Sequence, residues 1–341
     1  MANSFKLLMF DSKKYDISSF EEKIKDFKCC TVEVHYLPER ISAELVSEKA
    51  PGFDGICVFV NDNCDEKVID AIANAKVKMI ALRCAGFNNV DVARAVHHGI
   101  KVVRVPAYSP YAVAEHSVSL LMTLNRKLHL ANSRVKVHNF SLDGLVGFDL
   151  YGKTVGIVGT GKIGKCAISI FLGFGCKVLA FDIYEDKNAE KEMGFTYVNL
   201  DKLLSESDIV SLYAPLTKDN YHMIGEKSIP KMKKNVYIIN TGRGPLIDAE
   251  ALIVHLKSGH VGGVCLDVYE KEAGLFYNDV SDRPLQDDVL ARLLSFNNVL
   301  ITSHQAYLTN EALDAISGIT LDSICAFVSN KKLINEVTEA M

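Results

Sequence analysis

The sequence has few features that would direct the chain to a membrane, to secretion or to a nucleic acid. None of its apolar runs approaches the roughly 18 residues that a membrane-spanning helix needs. The first residues lead into a short strand without the apolar core of a signal peptide. The formal net charge is only −4, and no basic run with interleaved aromatic side chains occurs, so a polyanionic partner is not indicated. We expect a cytosolic protein that binds neither membranes nor nucleic acids.

Cysteine and histidine lack the spacing of metal sites and of disulfide frameworks. The nine cysteines are scattered, with no C-x-x-C pair, and the ten histidines do not cluster with them at zinc-finger spacing. An odd number of scattered cysteines in a cytosolic chain is typical of reduced thiols. We therefore expect no metal site, and we expect most thiols to pack as small apolar groups in the core.

The length and the strand pattern predict two α/β domains. At 341 residues the chain exceeds the roughly 250 to 300 residues at which a single core stops growing. The first part alternates apolar, β-rich runs with polar stretches of helix length, which favours βαβ units and a parallel sheet. These runs are Lys6 to Phe10, Thr31 to Leu37, Gly55 to Val60, Met79 to Arg83 and Lys101 to Val105.

A second strand-and-helix block begins after Gly152, with strands near Val155, Val178, Ile209, Val236, Val264 and Val299. Before it, residues 111–137 are rich in Leu, Met, Val and Ala and predict one long, largely buried helix opened by Pro110. A last helix from about Thr309 to Ser329 could return to the first domain. The predicted architecture is therefore two doubly wound parallel-sheet domains, the first discontinuous at 1–104 and 303–341 and the second at 105–302.

A glycine-rich turn at the start of the second block predicts a dinucleotide site. The strand Thr154–Val158 runs into Gly159-Thr160-Gly161-Lys162-Ile163-Gly164, a helix follows, and the next strand ends in Asp182. The first glycine permits a tight turn, the second lets the backbone approach a pyrophosphate, and the third lets the helix pack closely. The helix N-terminus offers N–H groups to the phosphates. An acid about 20 residues further on can bind a ribose diol. No cation lies next to it in the sequence to bind a 2′-phosphate, which favours NAD over NADP.

Two other interpretations of this turn stay open at the level of sequence. Gly159 to Lys165 also matches G-x-x-x-x-G-K, which would be a phosphate-binding P-loop if Ser or Thr followed. Position 166 is Cys, a soft ligand poorly suited to Mg²⁺. A tight turn without any ligand is the other alternative.

Three strand ends in the second block carry chemically active side chains. One strand leads into Thr241-Gly242-Arg243, the next into the segment from Asp267 to Glu272, and the last into Thr302-Ser303-His304. Ligands of open α/β sheets bind at the carboxyl ends of the strands. A cation, carboxylates and an imidazole are thus predicted at one rim. Glu270 and Glu272 both compete as the partner of His304.

Five ordered stretches of the chain carry a recognisable set of motifs: Arg83–Asp91, Val105–Pro110, Asn240–Gly244, Asp267–Glu270 and His304–Thr309. They resemble the D-isomer-specific 2-hydroxyacid dehydrogenases, and among these the fermentative D-lactate dehydrogenases. The likeness extends from about Lys6 to Ser329. It implies a flavodoxin-like substrate domain, a Rossmann NAD-binding domain, NAD as cofactor, and an active site in the cleft between them that interconverts pyruvate and D-lactate. It also implies a homodimer formed through the helix near 111–137.

The resemblance assigns the catalytic roles to Arg243, Glu272 and His304, with Glu272 preferred to Glu270. A guanidinium grips a carboxylate bidentately, and an imidazole that titrates near neutrality can protonate a carbonyl oxygen. Glu272 would fix the tautomer of His304 and favour its charged form. Substrate contacts are implied for the backbone of Ala85 and Gly86 and for the side chains of Tyr108, Tyr307 and Phe59. Cofactor contacts are implied for Gly159, Thr160, Gly161, Lys162, Ile163, Gly164, Asp182, Pro215, Thr241, Gly242 and Asp267.

Several alternatives remain within and outside this class. The hydroxyl of Tyr307, where many lactate enzymes of the family carry Phe, leaves a bulkier 2-oxo acid or glyoxylate open as substrate. Phosphoglycerate dehydrogenase and formate dehydrogenase are disfavoured, the first because no regulatory domain follows residue 341 and the second because its histidine pairs with Gln. An NAD(H)-sensing, corepressor-like binding protein is the rival outside enzymology. Glu115 and His116, which open the long helix, are interpreted as a dipole partner and a helix–helix hydrogen bond.

Overall fold

The computed structural model describes residues 4–338 as two compact units. Residues 4–109 and 308–338 form the first unit, and Pro110–Tyr307 forms the second. The sequence places these boundaries after residues 104 and 302, whereas the units divide after Ser109 and after Tyr307. Predictions for residues 1–3 and 339–341, including the absence of a targeting segment at the N-terminus, lie outside the described residues.

The first unit contains five parallel strands in the order β2-β1-β3-β4-β5. This order is that of the flavodoxin-like doubly wound sheet, as predicted. The strand residues form nearly continuous apolar runs because both faces of a parallel sheet are covered. The elements are β1 Ser4–Met9, α1 Lys14–Lys25, β2 Thr31–Tyr36, α2 Ala43–Lys49, β3 Gly55–Val58, α3 Glu66–Asn74, β4 Met79–Leu82, α4 Val92–His97 and β5 Lys101–Arg104.

The second unit contains seven parallel strands in the order β12-β11-β10-β9-β6-β7-β8. Its strands are β6 Thr154–Val158, β7 Lys177–Phe181, β8 Thr196–Tyr197, β9 Ile209–Leu212, β10 Val236–Asn240, β11 Val261–Leu266 and β12 Val299–Ile301. Its helices are α5 Pro110–Asn125, α6 Leu128–Lys136, α7 Lys162–Gly173, α8 Lys187–Met193, α9 Leu200–Glu206, α10 Ala249–Lys257 and α11 Asp288–Leu294. The doubly wound prediction is confirmed, and β8 is an additional strand too short to leave an apolar pattern.

The prediction of one long helix over 111–137 is wrong. The chain forms two helices, α5 and α6, because Lys127 adopts a left-handed conformation with φ of 50°. The first helix is mostly buried, as expected, but the second has no buried residue. The sequence shows no Gly or Pro at this break, so periodicity alone continued the helix through it.

The last helix, α12 (Asn310–Val328), belongs to the first unit, as the sequence indicates. Thr309 caps its N-terminus by accepting a hydrogen bond from the backbone N–H of Ala312. The helix packs along α1, where the hydroxyl of Ser19 lies 2.9 Å from the carbonyl oxygen of Leu313 and 3.0 Å from the hydroxyl of Ser317. The return of the chain to its first domain is thus fixed by polar as well as apolar contacts.

The expectation that all cysteines are reduced is wrong for one pair. Cys29 and Cys325 form a disulfide within the first unit, with their Cα atoms 5.9 Å apart. The partners are separated by 296 residues, so no local spacing announces the bond. The remaining seven cysteines form no disulfide and all but Cys166 are buried, which agrees with the expected packing role. Across residues 4–338 no helix combines the length and apolarity needed to span a bilayer, and no cluster of side chains suits a metal ion.

Candidate active site

The glycine turn after β6 has the geometry that a dinucleotide requires. Gly159 has φ of 94°, and a Cβ atom there would lie 2.6 Å from the backbone nitrogen of Ala214. A Cβ on Gly164 would collide with the carbonyl oxygen of Gly159, so the helix can approach the strand only with glycine there. At Gly161, by contrast, such a Cβ would meet no atom of the described chain within 4 Å apart from Gly161 itself and its chain neighbours. The turn is therefore closed on two sides and open where a pyrophosphate would lie.

The helix that follows the turn presents unpaired N–H groups to this open side. The first donor of the α7 hydrogen-bond ladder is Lys165, which bonds to the carbonyl oxygen of Gly161 at 3.0 Å. The N–H groups of Lys162, Ile163 and Gly164 consequently have no acceptor within the helix. They point with the positive end of the helix dipole towards the place of an anionic ligand.

Asp182 is held next to the turn by Thr160. One carboxylate oxygen accepts bonds from the backbone N–H and the hydroxyl of Thr160, at 2.6 and 3.0 Å, and the other accepts from the N–H of Tyr184 at 2.9 Å. Burial acts to raise the pKa of Asp182, but these hydrogen bonds together hold it below its ordinary value. The carboxylate is therefore ionised at neutral pH and fits a ribose diol better than a 2′-phosphate.

The P-loop interpretation finds no support in the same region. The ammonium group of Lys165, which would bind phosphates in a P-loop, forms an ion pair with Asp186 ahead of α8. The charge of the Lys165 side chain is thus already paired with a carboxylate. With Cys166 in place of the Mg²⁺-binding hydroxyl, the turn suits a dinucleotide and not a nucleoside triphosphate with its metal.

The loop after β10 presents Arg243. The buried side chain of Asn240 shapes this loop by donating to the carbonyl oxygen of Arg243 at 2.9 Å and accepting from the N–H of Gly242 at 3.0 Å. A Cβ on Gly244 would collide with the backbone of Tyr269, so this loop lies directly against the loop after β11. Arg243 is exposed, its guanidinium donates to the carbonyl oxygen of Gly242, and it has no carboxylate partner within residues 4–338. A cation is thus available for a ligand carboxylate.

The other cofactor residues predicted at strand ends are placed as follows. Thr241 is buried, and its hydroxyl oxygen has no hydrogen-bond partner in the described chain. An unmatched buried hydroxyl at a strand end fits a site completed by a polar ligand. Pro215 follows β9 in an exposed loop, where its carbonyl oxygen accepts a bond from Asn220. Their contacts with a cofactor stay predictions.

His304 and Glu272 form a close pair, as the sequence suggests. Nδ1 of His304 lies 2.7 Å from one carboxylate oxygen of Glu272, whose other oxygen accepts the backbone N–H of Tyr269 at 3.0 Å. The imidazole is 23% exposed, and its Nε2 has no partner among residues 4–338. Glu272 therefore fixes one ring nitrogen and leaves the other for a ligand, which is the arrangement of a general acid.

Asp267 organises the backbone that carries His304. Its buried carboxylate accepts bonds from the hydroxyl of Thr302 at 2.6 Å and from the N–H groups of Gln305 and Ala306 at 2.8 and 2.9 Å. Burial favours a higher pKa for Asp267, but His116, Thr302 and the two N–H groups together hold it below the ordinary value. The strand-end role is observed, and contact with the nicotinamide stays a prediction.

His116 differs from its interpretation as a helix–helix partner. Its Nε2 lies 3.1 Å from the hydroxyl of Thr302 and 3.5 Å from the carboxylate of Asp267. It thus connects α5 to the end of β12 and not to another helix. Sequence spacing could not show this, because the two groups are separated by 186 residues.

Glu270 serves a different partner from Glu272. Its carboxylate accepts the hydroxyl of Tyr221 at 2.6 Å and lies 3.1 Å from Nε2 of His222. His222 also donates its backbone N–H to the carbonyl oxygen of Pro245 at 2.8 Å. The geometry therefore separates the two neighbouring acids that the sequence alone leaves as competitors.

The predicted substrate residues of the first unit follow the strands β3, β4 and β5. The carbonyl oxygen of Ala85 accepts a bond from Arg104 at 2.8 Å, and the thiol of Cys84 donates to the carbonyl oxygen of Gly86 at 3.3 Å. Phe59 is buried with the guanidinium of Arg83 4.8 Å from its ring centre. Tyr108 is partly buried, and in the second unit Tyr307 is buried. The structure shows packing for the aromatic residues, and their contacts with substrate stay predictions.

Comparison with known proteins defines the class to which this site belongs. The model of the D-isomer specific 2-hydroxyacid dehydrogenase NAD binding domain matches residues 118–306. The chain belongs to this family and is an NAD-dependent oxidoreductase acting on a CH–OH group. It is similar to the D-lactate dehydrogenase of Escherichia coli (strain K12), with 46% identity over 332 residues that cover 97% of this chain and 99% of the relative.

Solved structures agree over the whole chain. The apo-structure of D-lactate dehydrogenase from Escherichia coli has a TM-score of 0.90 at 43% identity and covers 98% of this chain and 100% of its own. The pyruvate reductase of Chlamydomonas reinhardtii has a TM-score of 0.92 at 42% identity, with 97% and 98% covered. The predicted family, fold class and NAD cofactor are thereby confirmed.

Proposed function

We propose that the chain is a D-lactate dehydrogenase that reduces pyruvate to D-lactate with NADH and catalyses the reverse reaction. The observation that carries the proposal is the pair of His304 and Glu272, at strand ends next to the one that carries Arg243. Within residues 4–338, Nε2 of His304 has no partner and Arg243 has no carboxylate partner. Two similar proteins carry the two directions of this reaction in their names, the D-lactate dehydrogenase of Escherichia coli and the pyruvate reductase of Chlamydomonas reinhardtii, which supports pyruvate in particular.

The side chains divide the reaction between them. Arg243 binds the substrate carboxylate through paired N–H donors and so orients the 2-oxo group. NADH, when bound, supplies the hydride to the carbonyl carbon. His304 gives the proton on Nε2 to the carbonyl oxygen, and Glu272 stabilises the protonated imidazole before the transfer. One hydride and one proton convert the carbonyl to the hydroxyl group, and the reverse reaction returns both.

Asp182 selects the cofactor. A carboxylate held by Thr160 at the ribose position repels a 2′-phosphate, and we expect kcat/KM with NADH to exceed that with NADPH by at least about tenfold, or about 1.4 kcal/mol. Steady-state rates with both cofactors measure this preference. Equal use of NADPH would contradict the role of Asp182 and leave the assignment of Arg243, Glu272 and His304 untouched.

A panel of 2-oxo acids tests the substrate. Loss of NADH absorbance is followed with pyruvate, glyoxylate and a branched 2-oxo acid, and the products are separated on a chiral column. We expect the highest kcat/KM with pyruvate and D-lactate as product. A higher value with the branched acid would transfer the proposal to the bulkier substrate that Tyr307 leaves open, and no turnover with any of them would favour an NAD(H)-sensing binding protein.

We also propose a homodimer, formed by the surface of α6 and the segment that follows it. Whereas α5 has one exposed apolar side chain, Tyr111, this surface carries seven, which are between 50% and 83% exposed: Leu128, Val135, Val137, Phe140, Leu142, Val146 and Tyr151. Apolar exposure on this scale marks an association surface. Light scattering is expected to give about twice the chain mass of 37.6 kDa, and Val146→Glu is expected to give monomers. A monomeric wild-type chain would contradict the proposal.

The cytosol is the proposed location, because NADH must be regenerated by other enzymes after every turnover. Activity in the supernatant of lysed cells is the expected result, and activity in the culture medium would contradict it. The cytosol keeps most thiols reduced. Alkylation followed by mass spectrometry measures what fraction of the Cys29–Cys325 pair is disulfide-bonded in cells.

A further inference from the structure

The backbone of His304 has an uncommon conformation that needs support. Its φ is 51°, in the left-handed region that residues other than glycine rarely adopt. Such a residue persists only where its surroundings determine its conformation. The N–H of His304 donates to the carbonyl oxygen of Asp267 at 2.7 Å, which fixes one side of the residue. The direction of the imidazole also depends on how the other side, the carbonyl group, is held.

Tyr277 holds that carbonyl group. Its hydroxyl donates to the carbonyl oxygen of His304 at 2.9 Å, and its backbone N–H donates to the hydroxyl of Ser303 at 3.2 Å. The phenol ring lies 5.7 Å from the imidazole, at an angle of 33°. Two hydrogen bonds and a ring contact thus join Tyr277 to Ser303 and His304, which follow β12.

The segment that carries Tyr277 is anchored to Glu272. The backbone N–H groups of Leu275 and Phe276 both donate to the carbonyl oxygen of Glu272 at 3.0 Å, and the Phe276 side chain is buried. The same loop therefore fixes His304 twice. Glu272 holds the side chain at Nδ1, and Tyr277 holds the main chain at the carbonyl oxygen.

We propose that Tyr277 is a positioning residue for proton transfer, which directs Nε2 of His304 by fixing the left-handed backbone of that residue. The proposal rests on the role of His304 as proton donor. Without the phenol hydroxyl the carbonyl group loses its partner, and the backbone can relax towards commoner φ values. The Cα–Cβ bond turns with it, and misplacing a reacting group by about 1 Å can cost up to about 10²-fold in rate.

The change Tyr277→Phe removes only the hydroxyl and keeps the ring. We expect kcat for pyruvate reduction to fall about three- to tenfold, the range that one neutral hydrogen bond controls, with KM for NADH unchanged. We also expect a larger solvent deuterium isotope effect on kcat, because a misdirected proton transfer limits the rate more strongly. Loss of folded enzyme would lower kcat without changing that isotope effect.

Tyr221→Phe is the matched control. It also removes one phenol hydroxyl from a hydrogen bond in the same unit, but the acceptor is Glu270 and not His304. We expect its kcat to stay within about twofold of wild type and its isotope effect to be unchanged. An effect as large as that of Tyr277→Phe would show that any lost hydroxyl in this region disturbs catalysis, and would overturn the proposal.

His304→Ala, measured in the same assay, tests the proton donor separately from the residue that positions it. If His304→Ala keeps wild-type activity, the proton donor is misassigned and the proposed mechanism fails. If His304→Ala is inactive while Tyr277→Phe keeps its kcat and isotope effect, the mechanism stands and the positioning role is overturned. A fall in kcat for Tyr277→Phe that tracks only the folded fraction also overturns it.

Discussion

Two histidine–glutamate pairs occupy neighbouring positions in the second unit, and their differences are informative. The glutamates, Glu270 and Glu272, lie two residues apart on one loop. His304 lies 2.7 Å from Glu272, and His222 lies 3.1 Å from Glu270. Both histidines have left-handed backbones, with φ of 51° and 53°. Neither a carboxylate partner nor backbone strain therefore distinguishes a catalytic histidine from a structural one.

The ring nitrogens and faces make the distinction. His222 stacks on Tyr221 at 3.9 Å, directs Nε2 to Glu270 and has Nδ1 3.7 Å from Asp248. Nε2 and one face of the ring are occupied, and Nδ1 faces a second carboxylate, so both nitrogens of this ring lie near acids that belong to the protein. His304 has Nδ1 beside Glu272 and Nε2 without a partner among residues 4–338, as its proposed role of proton donor requires. A general acid needs this asymmetry, because a nitrogen that already holds a partner cannot deliver its proton to substrate.

Removing each histidine gives the largest expected contrast. His304→Ala removes the proton donor, and we expect kcat/KM for pyruvate to fall about 10²- to 10⁴-fold at every pH. His222→Gln leaves the donor intact, and we expect a change below about threefold. Steady-state kinetics at saturating NADH measures both. A comparable loss in His222→Gln would break the division of the two pairs into catalytic and structural.

Neutralising each glutamate gives a smaller contrast, in the rate of reduction. Glu272 lies 2.7 Å from Nδ1 of His304, and we expect Glu272→Gln to lower kcat/KM for pyruvate about tenfold, because the carboxylate charge that stabilises the ring during proton transfer is lost. Glu270→Gln is the control and is expected to leave kcat/KM within about threefold of wild type. If only Glu270→Gln lowers it, the catalytic carboxylate is misassigned; if neither does, the pairing is wrong.

Stability should reverse the order of the two pairs, with the smallest effect of the series. Glu270 accepts bonds from Tyr221 and His222 and so ties separate loops together. Both side chains of the His222 pair are partly exposed, which limits their contribution, and we expect Glu270→Gln to lower the free energy of unfolding by about 1 kcal/mol. We expect Glu272→Gln to lower it less. Urea unfolding followed by circular dichroism measures both free energies, and equal losses would contradict the larger structural role of Glu270.

The local parts of the site are those that the sequence predicts. Gly159, Gly161 and Gly164 lie within one turn, where nearby backbone leaves no room for a Cβ at Gly159 and Gly164 and Gly161 faces open space. The strands are predictable because a parallel sheet buried on both faces needs continuous apolar runs. The strand-end placement of Arg243 and His304 follows from the same pattern.

The remaining features depend on contacts between distant residues. The break between α5 and α6 falls at Lys127, whose type gives no signal for a left-handed turn. Cys29 meets Cys325 only because α12 returns to the first unit. The Tyr277 hydroxyl donates to the backbone carbonyl oxygen of His304. Because every residue has such a group, the residue type at position 304 cannot predict this bond. Side-chain periodicity carries no information on such main-chain acceptors.

The discontinuous first unit has a consequence for how the chain matures on the ribosome. Ser19 on α1 meets Leu313 and Ser317 across separations of 294 and 298 residues. All of residues 110–307 must be synthesised before α12 exists to cover α1, whereas the second unit is continuous and can fold as it emerges. The nascent sheet of the first unit therefore stays partly uncovered through most of translation, a period in which exposed apolar surface is open to chaperones and to aggregation. The entropic cost of closing a loop grows only with the logarithm of its length, so closing this long loop costs little more than closing one of moderate length. The order of synthesis, and not loop entropy, therefore delays the folding of this unit.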